Sequence, residues 1–121
     1  MVVDGSPDSL SALESCLACE QDFETVGLAL SGCDALERVR SLRPDLILLN
    51  LQMPDMNGLE AAMHIRRKSP STRVLILTDR LRPEPDLRRA CEHSGATGPI
   101  TKSQPREELL SEIRLLLAAR S

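Results

Sequence analysis

The chain contains no tryptophan, no tyrosine and a single phenylalanine, Phe23. Whatever core it builds must therefore be aliphatic. It also has no apolar run near the ~20 residues that a helix needs to cross a bilayer. Its first residues lack the basic region and long apolar segment of a secretory signal. Both absences point to a cytoplasmic location and away from a membrane. A basic excess is missing too: the formal net charge is −3, which supplies no electrostatic footprint for direct nucleic-acid binding. Internal repeats, low-complexity stretches and linkers are not apparent. The four cysteines, at 16, 19, 33 and 91, do not form a metal-binding pattern, because Cys16-x-x-Cys19 has no second ligand pair at matching spacing. On a helix whose buried stripe is Leu10, Leu13 and Leu17, Cys16 falls on the flank and Cys19 on the far side. One part-buried and one exposed thiol are expected there, not a redox pair.

What is present is the composition of one ordinary globular domain spanning residues 1–121, with 41% hydrophobic and 27% charged residues. Apolar runs alternate with amphipathic stretches. Met1 to Val3 is a short apolar start, and Asp4-Gly5-Ser6-Pro7 turns into a helix over roughly Ser9 to Glu20. Phe23 to Leu30 reads as a second strand, and Gly32 to Leu42 as a helix burying Ala35, Leu36 and Val39. Leu46 to Leu51 is continuously apolar, which marks a strand buried on both faces of a parallel sheet. A helix over Gly58 to Lys68 follows, then a second fully apolar strand over Arg73 to Thr78. The prolines in Arg80 to Asp86 predict a loop, and Leu87 to His93 a short helix closed by Gly95. Gly98 to Thr101 is a weak fifth strand. Ser103 is a plausible cap for a last helix over roughly Pro105 to Ala119 that buries Leu109, Ile113, Leu116 and Leu117.

Such βα alternation requires a doubly wound α/β fold, with a five-stranded parallel sheet and helices on both faces. In sheets of this kind ligands gather at the carboxyl ends of the strands. Asp4, Asn50 and Thr78 end the first, third and fourth strands, and Lys102 follows the fifth. All four are expected to converge on one edge.

These positions, in this order, resemble the receiver domain of bacterial response regulators, the CheY-like family. The tightest stretches are Arg43-Pro44-Asp45-Leu46 through Leu59-Glu60-Ala61, Arg73 to Thr78, and Gly95-Ala96-Thr97-Gly98 with Lys102. Asp22-Phe23-Glu24 and Gly27 are similar to receivers that precede a LuxR-type helix-turn-helix output domain. The resemblance implies strand order 2-1-3-4-5, a signalling role without enzymatic activity, and a pocket for Mg²⁺ and a phosphoryl group. In that pocket an acidic pair and an acceptor aspartate hold the metal, a Thr or Ser contacts the phosphoryl oxygens, and a Lys pairs with the charge. Here the acidic pair is Asp4-Gly5 and the acceptor position is Asn50. An amide is uncharged, a poor Mg²⁺ ligand and a weak nucleophile. The Gln52 carbonyl could still face a cation, and Thr78 and Lys102 are in place, but Mg²⁺ binding is expected to be weak or absent. Pro99 stands where the family carries a signalling aromatic, and it lacks both that rotamer and a backbone donor.

The resemblance therefore implies an atypical receiver that regulates through phosphorylation-independent contacts with proteins or small ligands. Partners would be a second copy or an output domain gripped by Leu87 to Cys91, the fifth strand and Leu109 to Leu117. The alternative is a conventional switch whose acceptor was engineered to Asn50, although Gly5 and Pro99 argue for natural degeneration. With Asn50 neutral, Lys102 is expected to pair with Asp4, and Thr78 to satisfy a strand-end backbone group. His64 is expected on an exposed face, and Arg66-Arg67-Lys68 to complement a helix dipole. By family standards the first strand is short and the loop carrying Pro83 and Pro85 is long and stiff. The family pattern leaves room for an output domain after Ser121.

Overall fold

The computed structural model describes residues 1–82 and 84–119. Pro83, which contributes to the expected loop stiffness, and the chain end at Ser121 lie outside them. Among the described residues the elements run β1 (Val2–Val3), α1 (Pro7–Ala18), β2 (Leu28–Ala29), α2 (Gly32–Leu42), β3 (Leu46–Asn50), α3 (Gly58–Lys68), β4 (Arg73–Thr78), α4 (Pro85–His93), β5 (Thr97–Thr101) and α5 (Arg106–Ala118). All strands pair in parallel in the order β2-β1-β3-β4-β5.

The period-2 alternation of each strand sorts its side chains into two aliphatic layers. Val3, Ile47, Leu49, Val74 and Ile76 pack on one face. There they meet Ala35 and Val39 of α2, Ala61, Ala62 and Ile65 of α3, and Cys91 of α4. Val2, Leu46, Leu48, Leu75 and Leu77 pack on the other, against α1 and α5. Because both faces are covered, β3 and β4 carry no polar residue until their ends. Phe23 contributes little to this core: it is half-buried and lies under the guanidinium of Arg114, 5.0 Å from its ring centre.

Three helices begin on side-chain caps. Ser6, Ser31 and Asn57 accept hydrogen bonds from the backbone N–H groups of Ser9, Asp34 and Glu60 respectively. Gly58 then starts α3 hard against the end of β3. A Cβ there would lie 2.8 Å from the Asn50 carbonyl oxygen, so no larger residue fits without displacing the strand end.

Several sequence expectations shift. The second strand is Leu28–Ala29, not Phe23 to Leu30, because its only partner, β1, offers two residues to pair with. The first helix begins at Pro7 and ends at Ala18, and the third strand ends at Asn50. Pro85 opens α4 where a loop to Asp86 was expected, since proline's missing N–H costs nothing in a first turn. Ser103 does not cap α5; the cap position is Pro105, which makes no side-chain bond. Leu110 is buried in α5, whereas Leu116 and Leu117 are only partly so.

Candidate functional site

The parallel register carries the four predicted positions to one edge. Val3 pairs with Leu49, Asn50 with Leu77, and Thr78 with Thr101. One residue further along the same ladder, Asp4 and Asn50 stand side by side, with Thr78 and Lys102 beyond. Asp4, Asn50 and Thr78 are all buried, at 1%, 4% and 0% exposure.

Asp4 is the hub. Its Oδ1 accepts the backbone N–H of Ser6 at 2.9 Å, and its Oδ2 accepts the Ser9 hydroxyl at 2.7 Å. The Lys102 ammonium donates to the same Oδ2. Lys102 also donates to Ser9 Oγ at 2.9 Å and lies 3.3 Å from Asp79 Oδ1. These three acceptors match the three protons of an ammonium. The contact with Asp79 is at the rim, where that side chain is 68% exposed, and contributes little. Ser9 and Asp79 were not singled out from the sequence. Ser9 sits in the first turn of α1, where the helix aims it back at Asp4, and Asp79 directly follows Thr78.

Asn50 behaves differently. Its Nδ2 donates to the backbone carbonyl of Gln52 at 2.6 Å, while Oδ1 is buried with no hydrogen-bond partner among the described residues. The opposite amide orientation would set two acceptor oxygens together, so the Gln52 carbonyl determines which way the amide points. Thr78 Oγ1 accepts the Arg80 N–H at 3.2 Å, the strand-end role expected of it. Gly5 faces the β3–α3 loop closely enough that a Cβ would meet Pro54 Cδ at 2.8 Å. Pro99 is buried on β5. Among the described residues no three His, Cys, Asp or Glu side chains gather closely enough to hold a metal ion.

The model of the response regulator receiver domain matches residues 1–114. The chain belongs to this receiver family. It is 37% identical over 108 residues to the transcriptional regulatory protein DesR of Bacillus subtilis, a match covering 89% of this chain and 52% of that protein. It is 33% identical over 102 residues to the response regulator protein VraR of Staphylococcus aureus NCTC 8325, covering 84% and 48%. The receiver thus spans about half the length of these curated relatives. Among solved structures it resembles the signal receiver domain of NarL from Mycobacterium tuberculosis, with a TM-score of 0.89 at 28% identity over 98% of this chain and 94% of that one. A LuxR-family two-component response regulator from Aurantimonas is similar at a TM-score of 0.91 and 28% identity, covering 99% and 84%.

The receiver's β3–α3 loop is tied down by Asp55. Its carboxylate accepts the backbone N–H groups of Gly32 at 3.0 Å and Cys33 at 2.8 Å, capping α2 from outside. Hydrogen bonding from the Cys33 thiol, then from these backbone donors, holds the Asp55 carboxyl down at about 2, and the same contact pushes the Cys33 thiol up. An acid with a depressed folded pKa contributes stability above its unfolded value of 3.8 and loses it as pH falls towards 2. Acid unfolding of the receiver should therefore show a proton uptake in that window. Asp55→Asn should flatten it; an unchanged pH slope in urea titrations would exclude the cap.

The cysteines stand as expected: Cys16 is half-buried and Cys19 exposed. Cys91, inside the core, has its thiol pushed up to about 11 by burial. His64 is exposed on α3. The expected docking surface needs revision, because Cys91, Leu109 and Ile113 face the core. Arg88 and Arg89 of α4 and Ser111, Arg114 and Leu115 of α5 are the exposed residues in those segments, Leu115 at 64%. Among the described residues no helix is long and apolar enough to cross a membrane.

Proposed function

We propose that this receiver is atypical and signals independently of phosphorylation. The observation that carries this reading is Asn50. At the strand end where the family resemblance puts the phosphoryl acceptor, the chain presents a neutral amide whose nitrogen is committed to the Gln52 carbonyl. Nothing nucleophilic is directed into the pocket from β3. Pro99 in place of the family's mobile aromatic argues the same way, since a proline ring cannot report a displacement of Thr78. The receiver acts as a signalling module, not an enzyme, and works without a divalent cation.

Regulation then passes through contacts with proteins. The relatives DesR, a transcriptional regulatory protein, and VraR, a response regulator protein, are each about twice as long as the matched region. They support a role as the regulatory half of a transcription regulator, coupled to an output domain or a second copy through α4, β5 and α5. Arg88 and Arg89 of α4, with Ser111, Arg114 and Leu115 of α5, supply the exposed part of that surface. Thr78 and Lys102, still at their strand ends, favour one alternative: a conventional switch that lost its acceptor by engineering.

Incubation with acetyl phosphate and Mg²⁺, read by intact mass, tests the proposal. The expected spectrum is unchanged. A retained phosphoryl adduct on Asp4, or anywhere along this edge, would refute it.

A further inference from the structure

We infer that the edge of the receiver opposite Asn50 carries a second site, which binds a small phosphate-bearing anion. This site is independent of the functional reading above, because it uses none of the residues around Asn50. α2 ends at Leu42 and α3 at Lys68, and the chain re-enters the sheet through Pro44 and Thr72, just ahead of β3 and β4. Between the two helix ends lies a cavity of about 420 Å³ lined by Arg40, Arg43, Lys68, Ser69, Pro70 and Ser71. Its volume falls within the range of small-molecule sites. No carboxylate lines it.

The balance of charge decides the sign of the ligand. A helix C-terminus is itself negative, by roughly half a charge, so two of them oppose an anion with about one charge in total. Three cationic side chains stand against that, which leaves a surplus of about two positive charges after both dipoles are complemented. The surplus is not consumed within the protein. Among the described residues no ion pair engages Arg40, Arg43 or Lys68. Lys68 leans from α3 towards α2, its Nζ 3.5 Å from the Leu36 carbonyl. Arg43 is the left-handed cap of α2, with φ at 44°. Glycine takes that conformation at lower cost, so backbone geometry does not account for an arginine there.

The floor beneath these cations is fixed. Thr72 Oγ1 donates to the Pro44 carbonyl at 2.7 Å. With its one proton so used, it accepts from Ser69 Oγ at 2.6 Å. This buried pair ties the α2–β3 connection to the α3–β4 connection, and the Arg73 N–H adds a second tie to the Asp45 carbonyl at 3.0 Å. Guanidinium and ammonium donors above a rigid floor suit the several oxygens of a phosphoryl group. The lining has no aromatic side chain on which a base could stack, so recognition rests on the phosphate. A larger neighbouring cavity shares Pro70 and Ser71 but sets Glu92 beside Arg66 and Arg73, a poorer balance for an anion. A cavity confined between two helix ends also fits a small ligand better than the extended backbone of a nucleic acid.

Titration with inorganic pyrophosphate at physiological ionic strength, followed by ¹⁵N NMR, provides the test. Saturable shifts are expected at the amides of Arg43, Ser69 and Ser71. Arg40→Gln/Lys68→Gln alters two exposed side chains and should weaken binding at least about tenfold, as the loss of charge-assisted hydrogen bonds requires. Arg80→Gln/Arg82→Gln removes the same charge beyond the end of β4, at the other edge, and should change the affinity less than about twofold. Equal losses in the two variants would mean that only overall charge matters and would overturn the site. So would shifts that fail to saturate or that fall elsewhere. A DNA duplex or an acidic peptide that binds these amides more tightly than pyrophosphate would overturn the assignment to a small ligand.

Discussion

Lys102→Met should destabilise the receiver by about 3 kcal/mol, at the lower end of the range for breaking a buried ion pair. Asp4 is 1% exposed, so losing the ammonium leaves its charge without a counter-ion and nearly without water. The Ser6 N–H and Ser9 hydroxyl continue to hydrogen-bond it, which keeps the loss from reaching the upper end. Adding Asp4→Asn to Lys102→Met should recover part of the stability, because a neutral amide can be buried with its oxygen accepting the Ser6 N–H and its NH₂ donating to the Ser9 hydroxyl oxygen. Asp79→Asn, by contrast, should change stability by less than about 0.5 kcal/mol, as expected for an exposed rim contact. Urea unfolding followed by far-UV circular dichroism gives all three values, since without tryptophan or tyrosine there is no useful fluorescence signal. If Lys102→Met and Asp79→Asn cost the same, the Asp4 pair is not the one that matters.

Asn50→Asp should cost about 1–3 kcal/mol at neutral pH. The substitution removes the donor to the Gln52 carbonyl and sets a carboxylate oxygen against it. It also places a second negative charge beside Asp4 on the adjacent strand, at a position only 4% exposed. Lys102 could turn towards the new charge, but only by loosening its hold on Asp4 or Asp79. Burial raises the folded pKa of the introduced carboxyl above its unfolded value. The penalty should consequently be absent at acid pH, where the group is neutral in both states. It should grow as pH rises past about 4 and be complete above the folded pKa. Comparing Asn50→Asp with the unaltered receiver across this range isolates the effect. A stability difference independent of pH would mean that the charge is not its cause.

The sequence was most legible where burial left no choice. β3 and β4 are sandwiched between two helical layers, so their continuous Leu/Ile/Val runs announce them, and α2 and α3 begin and end where their caps and the following loops predict. The reading failed where an element's extent depends on its neighbour. Phe23 to Gly27 has a plausible strand composition, but β2 can pair only as far as Val2 and Val3 allow. Pro85 reads as a breaker, yet a helix's first turn accommodates it. At the site, strand ends are fixed by topology, so the convergence of Asp4, Asn50, Thr78 and Lys102 could be anticipated. Ser9 and Asp79 could not, since their role arises from where the Lys102 ammonium comes to rest. The seating of Pro54 over Gly5 depends on loop packing, which has no periodicity to read.

The shortness of β2 has a consequence for association. β2 is an outer strand of the sheet, and only Leu28 and Ala29 belong to its ladder. Longer flat edges present rows of free N–H and C=O groups that recruit foreign strands. A two-residue edge gives an incoming strand almost nothing to register against. Addition of a strand from another copy is therefore disfavoured at this edge, and β5, with five residues in its strand, is the edge that retains a ladder to extend.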